Sequence, residues 1–228
     1  MSPGRPGRTG PTRLVLFDID GTLLSSHGAG RRAMEGALRS VFGTAGSPEY
    51  RYDGKTDRQI VRELMRGEGH DDVTIDARMP VVLEAYLEGL HRQLDAPGAN
   101  VTALTGVFAL LDALRSQMHC ATGLLTGNLE PGAQRKLDAA GIAFDRFAVG
   151  AFGSDHEARD ELPAIAQRRA RERLGLDIAG ASVVIVGDID AAAVEQQIRA
   201  AFAPLKARGP ARARPALGRV PAVAGPPP

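Results

Sequence analysis

Largely apolar runs recur along this chain at 14–17, 120–125, 147–152 and 182–186, and each reads as a buried strand. Between them the apolar positions change period. Met34, Leu38, Val41 and Phe42 share one helical face, and Gly43 follows as a stop. Thr56-Asp-Arg-Gln59 has the spacing of a capping box and opens a helix that buries Ile60, Val61 and Leu64. A third helix is predicted over about 79–94, with Val82, Leu83, Tyr86, Leu87, Leu90 and Leu94 on its apolar side. Later, Val107, Leu110, Leu111 and Leu114 line a helix, Pro131 opens another that Gly141 ends, and a further one covers 161–174. Val194, Ile198, Ala201 and Phe202 predict a last helix.

This order divides the chain. Residues 25–99 are all helical and close on the breaker Ala96-Pro-Gly-Ala-Asn100, whereas 13–24 and 100–204 alternate strand and helix. Alternation of that kind predicts an α/β fold, a doubly wound parallel sheet of Rossmann-like form, with the helical stretch inserted as a cap. In such sheets the site forms beyond the carboxyl ends of the strands, where this chain carries Asp18, Thr126 and Asp188.

Composition narrows the setting. The 228 residues are ample for a sizeable core. With a single cysteine, Cys120, no internal disulfide forms, and that residue reads as a small buried hydrophobe; a reducing, cytoplasmic home fits. No apolar run reaches membrane-spanning length. The net charge of +1 conceals eight basic and no acidic residues in the two ends, 1–13 and 206–228, which leaves the body at −7. An acidic body argues against a nucleic-acid groove, and the ends read as a disordered basic leader (1–12) and a Pro/Arg-rich disordered tail (205–228).

The chemistry is concentrated where the first strand stops, at Phe17-Asp-Ile-Asp-Gly-Thr22. Gly21 permits a sharp turn, and two carboxylates two residues apart suit one attacking group and one proton-transfer group. This hexapeptide resembles the nucleophile motif of the haloacid-dehalogenase superfamily, and the presence of Asp20 resembles its phosphatases and phosphomutases. The resemblance covers about 13–187 and implies the following roles. Asp18 attacks phosphorus and Asp20 is the acid and base. Thr126, in Leu125-Thr-Gly-Asn128, binds the phosphoryl group with Gly21, Thr22, Gly127 and Asn128. Mg²⁺ is held by Asp18, Asp20 and Asp188.

The usual Lys-Pro of the third superfamily element is absent. Its place reads Arg159-Asp-Glu-Leu-Pro163, so the neutralising cation is Arg159 or, as the favoured choice, Lys136 on the helix after Thr126. The cap loop Asp53-Gly-Lys-Thr-Asp57 resembles the substrate-facing loop of phosphoglycolate-phosphatase-like members, which makes Lys55 a candidate substrate contact. After Asp188 the pattern departs: positions 191–193 are all Ala, and only Asp190 and Glu195 flank them. Residues 184–205 resemble instead a non-catalytic segment of insulinase/pitrilysin-type peptidases, yet no His-x-x-Glu-His helix is present for peptidase chemistry. The resemblance therefore implies a Mg²⁺-dependent phosphatase for a small phosphorylated metabolite. A phosphomutase with the same nucleophile, or a phosphatase-like binding protein disabled by its altered end, are the alternatives. The oligomeric state is not encoded in any of these features.

Overall fold

The computed structural model describes residues 13–176 and 182–187. In chain order the elements are β1 (Arg13–Phe17), β2 (Leu24–Ser25), α1 (Ala29–Phe42), α2 (Asp57–Gly67), α3 (Asp72–Asp95), β3 (Thr102–Ala103) and α4 (Val107–Arg115). Then come β4 (Cys120–Leu125), α5 (Glu130–Ala139), β5 (Val149–Ala151), α6 (Leu162–Leu174) and β6 (Ser182–Val186).

Four strands form one parallel sheet in the order β5-β4-β1-β6. Side chains alternate along a strand, so β1 feeds two cores at once. Val15 and Phe17 pack with Val107 and Leu111 of α4 and Ala133 and Leu137 of α5. Leu14 and Leu16 pack with Leu162, Ala166 and Ala170 of α6. Helices on both faces explain why these strands read as continuous apolar runs rather than as alternating ones. The chain winds from β1 outward to β4 and β5, then returns to the far side of β1 for β6. The order therefore reverses at β1, the position where α/β sheets open a crevice at their carboxyl ends.

The inserted helices α1, α2 and α3 share a core of their own, with Met34, Leu38, Ile60, Leu64, Met65, Val82, Tyr86 and Leu90 among its buried members. The two chain crossings into this cap lie side by side, because β2 pairs antiparallel with β3, Leu24 opposite Ala103 and Ser25 opposite Thr102.

Three expectations need correction. Helix α3 begins at Asp72, not near Met79: Asp71 caps it, its carboxylate accepting from Thr74 N–H at 2.7 Å, and Pro80 lies inside the helix. A proline beside the first dense apolar cluster imitates a helix start. Leu110 is 45 % exposed, so the buried stripe of α4 reduces to Val107 and Leu111. Cys120 is half-buried, at the start of β4. The leader, the tail, the helix expected from Val194 onward and the residues Asp188, Asp190 and Glu195 lie outside the described residues.

Candidate active site

The chain leaves β1 through a tight turn in which Gly21 takes a φ of +74°, a conformation that favours glycine. Asp18 stays in line with the sheet, its N–H donating to the Val186 carbonyl at 2.9 Å. One carboxylate oxygen of Asp18 accepts from Ile19 N–H at 2.8 Å, and the other meets Arg159 Nη2 at 2.6 Å. Asp20 faces a cavity of about 500 Å³ between sheet and cap, and its side chain is 43 % exposed there. Asp18, Gly21, Lys55, Asp57, Thr126, Gly127, Asn128, Lys136 and Arg159 line the same cavity.

Thr126 continues β4 by donating its N–H to Ala151 O at 3.1 Å, which fixes the loop that follows. Its hydroxyl accepts from the Asn128 side-chain amide at 2.8 Å, and that amide also donates to Asp20 Oδ2 at 2.8 Å. Lys136, in the last turn of α5, is 3 % exposed and donates to both Asp20 Oδ2 and Asn128 Oδ1 at 2.7 Å. Gly30 of α1 makes room for this ammonium, since a Cβ there would stand 3.2 Å from Lys136 Nζ. The walls of the cavity, although they leave this side chain partly open, displace water around it and push the Asp20 carboxyl up. The Lys136 charge, with hydrogen bonds from Lys136, Asn128 and Ser26, outweighs that and holds it below the usual carboxylate range.

Asp57 is a cavity-lining carboxyl to which the sequence assigned no role. It stands one residue after the N-cap Thr56, where an acid ordinarily does no more than complement a helix dipole. Here it is buried and reaches out of the cap to accept Leu129 N–H at 2.8 Å, at the start of α5. Burial pushes its carboxyl up to about 6, a rise restrained by the Lys136 charge and by hydrogen bonds from Leu129 N–H and Tyr86. Two N–H groups at the start of α5 are thereby taken up: Asp57 accepts Leu129 N–H, and Ser154 Oγ accepts Glu130 N–H at 3.0 Å.

The cap sits directly on this loop. Asp57 N–H donates to Gly127 O at 2.9 Å, and a Cβ on Gly127 would lie 2.0 Å from the Lys55 carbonyl oxygen. Only glycine permits that approach. Lys55 itself is engaged, paired with Glu63 and 3.0 Å from the Tyr50 hydroxyl.

The fold thus brings Asp18, Asp20, Gly21, Thr126, Gly127, Asn128, Lys136 and Lys55 to one cavity. Thr22 is not on its wall, and its N–H is spent on Ile19 O at 3.2 Å. Lys136 and Arg159, posed by the sequence as alternatives, both arrive, the first on Asp20 and the second on Asp18. Among the described residues no group of three His, Cys, Asp or Glu forms a metal cage. No described helix is long and apolar enough to cross a membrane.

Residues 15–191 match the profile of a family described as haloacid dehalogenase-like hydrolase. A search of curated proteins returns no match. Among solved structures, a candidate phosphoglycolate phosphatase from Lactobacillus plantarum superposes with a TM-score of 0.59 at 22 % identity, over 84 % of this chain and 83 % of that one. CbbY from Rhodobacter sphaeroides, in complex with phosphate, superposes with a TM-score of 0.52 at 16 % identity, over 75 % and 76 %. A further candidate phosphoglycolate phosphatase, from Haemophilus somnus 129PT, gives 0.53 at 18 % identity, over 78 % of each chain.

Proposed function

Because the chain belongs to the haloacid dehalogenase-like hydrolases, we propose that it is a phosphatase for a small phosphorylated metabolite, working through an aspartyl-phosphate on Asp18. One observation carries this reading: two carboxylates, Asp18 and Asp20, each meet a separate cation where the strand order reverses. A substrate dianion fits that arrangement, since it takes up the cations while a carboxylate attacks.

In this reading an Asp18 oxygen attacks phosphorus as the bond to the leaving oxygen breaks, and Asp20 gives that oxygen a proton. Water then attacks the aspartyl-phosphate as Asp20 takes its proton, and inorganic phosphate leaves with Asp18 restored as a carboxylate and Asp20 as the acid, which returns its proton to solvent or serves the next turnover. Asp20 starts as a carboxylate under the charge of Lys136. A phosphoryl group that draws Lys136 toward its own oxygens removes the largest influence stabilising that charge. Burial then favours the protonated acid the first step requires. Thr126, Gly127 and Asn128 hold phosphoryl oxygens, Gly21 shapes the turn with its own N–H spent on Leu24 O at 2.9 Å, and Arg159 offsets charge at the nucleophile. Lys55, on the cap wall, meets the part of the substrate remote from phosphorus.

Asp18 and the Asp20 carbonyl are hard oxygen donors of the kind Mg²⁺ takes, and β6 ends beside Asp18 on its way to Asp188. When bound there, Mg²⁺ supplies positive charge between an anionic nucleophile and an anionic phosphate. Asp18→Asn is expected to abolish phosphate release from an aryl phosphate while leaving the melting temperature within a few degrees of wild type. Chelation of divalent metal is expected to do the same reversibly. Metal-dependent phosphate release by the Asp18→Asn protein would overturn the mechanism. Product analysis on a sugar phosphate separates hydrolysis from isomerisation, the outcome a phosphomutase would give.

A further inference from the structure

Arg159 reaches Asp18 from the start of a short 3-10 turn, Arg159–Glu161, that runs into α6, and the loop leading into that turn is held by the cap. On its amino-terminal side the core secures the loop: Asp155 binds the Arg169 guanidinium through two 2.7 Å contacts and accepts Phe152 N–H at 2.9 Å. On its carboxyl side α6 begins at Leu162. The contacts of Glu157, between these anchors, go to the cap. Its carbonyl accepts the Thr56 hydroxyl at 2.6 Å. Its carboxylate receives Arg62 through both Nε and Nη2, the latter at 3.0 Å. Such a two-pronged pair fixes direction as well as distance.

Arg62 is itself fixed. It projects from α2 with its side chain 15 % exposed, and it also meets Asp76 of α3 at 2.6 Å and Asp72 at 3.3 Å. Neither Arg62 nor Glu157 lines the cavity, so neither is placed to touch a substrate there. Two residues beyond Glu157, however, stands the guanidinium that meets the nucleophile.

We infer that Arg62, acting through Glu157, is a positioning residue for Arg159, so that seating the cap completes the charge arrangement at Asp18. The inference rests on the reading of Asp18 as nucleophile and Arg159 as its counter-charge. Its chemical consequence is economical: the cation that assists attack is in register only while the cap excludes bulk water. With the cap lifted, Thr56 and Arg62 leave together, because both belong to α2 and its cap residue. The loop then loses its hold on Arg159.

The test is a double-mutant cycle on the full chain, with an aryl phosphate too small to depend on cap contacts. Arg159→Ala is expected to lower kcat about a hundredfold. Arg62→Ala is expected to lower it about tenfold or more, with a smaller change in KM, because a misplaced charge costs rate rather than binding. The double variant is expected to be no slower than Arg159→Ala alone. A merely structural role for Arg62 gives the opposite signature: raised KM, and losses that multiply in the double variant. Either that result or full kcat in Arg62→Ala or Arg159→Ala overturns the inference. Thermal melts check that each variant folds, and Glu157→Gln replaces Arg62→Ala in the same cycle if the latter does not. These outcomes are separable from failure of the phosphatase reading, which is judged by Asp18→Asn alone.

Discussion

Asp57 shows how a single residue acquires a role from burial. Its carboxyl, raised to about 6 from an ordinary 3.8, binds a proton more tightly in the folded protein than in the unfolded chain. Its contribution to stability is therefore complete below about pH 4 and is lost as pH rises through 6. Lys136, Asp20 and Tyr86 face it, and only Lys136 is a cation among them. Relative to wild type, Asp57→Asn is expected to gain on the order of 2–3 kcal/mol between about pH 4 and pH 7, read from denaturant unfolding at the two pH values. A difference that does not change with pH would contradict this. Lys55 belongs to the same scale. Lys55→Ala is expected to raise KM several-fold for a substrate with a second anionic group while sparing a generic aryl phosphate. Steady-state kinetics with both substrates checks this, and equal losses would show that the Lys55–Glu63 pair acts on the cap as a whole.

Among elements, the glycine loop after β4 and the first turn of α2 are fitted to each other. Gly127→Ala places a Cβ 2.0 Å from the Lys55 oxygen and 2.8 Å from its carbonyl carbon, both backbone atoms. A loss of about 1–3 kcal/mol is expected, with a lower kcat/KM, because the cap no longer seats. Gly36→Ala, on the open side of α1 with nothing within 4 Å, is expected instead to stabilise by about 0.5–1 kcal/mol. Thermal or denaturant melts of the two proteins check both signs. This contrast also marks what the sequence revealed. The sheet was legible because its strands are written as largely apolar runs, and β4 and β6 lie where those runs lie. The turn that leaves β1 for the cavity was legible because Asp18, Asp20 and Gly21 sit together. Arg159 was harder to place, because a three-residue turn carries it and its partner Asp18 lies 141 positions away. Asp57 was hidden for a similar reason, since its partner Leu129 lies 72 positions away. The pair β2 and β3, two residues each, is too short to leave any periodicity.

Over the whole molecule, chemistry and stability occupy opposite ends of the sheet. Strand β4 runs from Cys120 to Leu125 and delivers Thr126, so the thiol and the hydroxyl stand about 20 Å apart at the usual rise per residue. Alkylation of Cys120 with a small maleimide is expected to leave turnover within about twofold of wild type, even where it lowers the melting temperature. Inhibition at full labelling, followed by mass spectrometry and phosphate release, would refute that separation.

The adjacent crossings into the cap have a further consequence, for ancestry and for engineering. Ser25 and Thr102 face each other across an antiparallel pair, so a two-residue turn joining them would close the core without residues 26–101. The insert is in that sense a cassette: its ends meet at one doorway, and the strands on either side keep their register whatever lies between. A recombination event there exchanges the lid while the sheet keeps its register, provided the new lid supplies partners for Gly127 and Glu157 as the present one does. Substrate preference can then change by transplanting one contiguous block, while the reacting groups remain where β1 and β4 leave them.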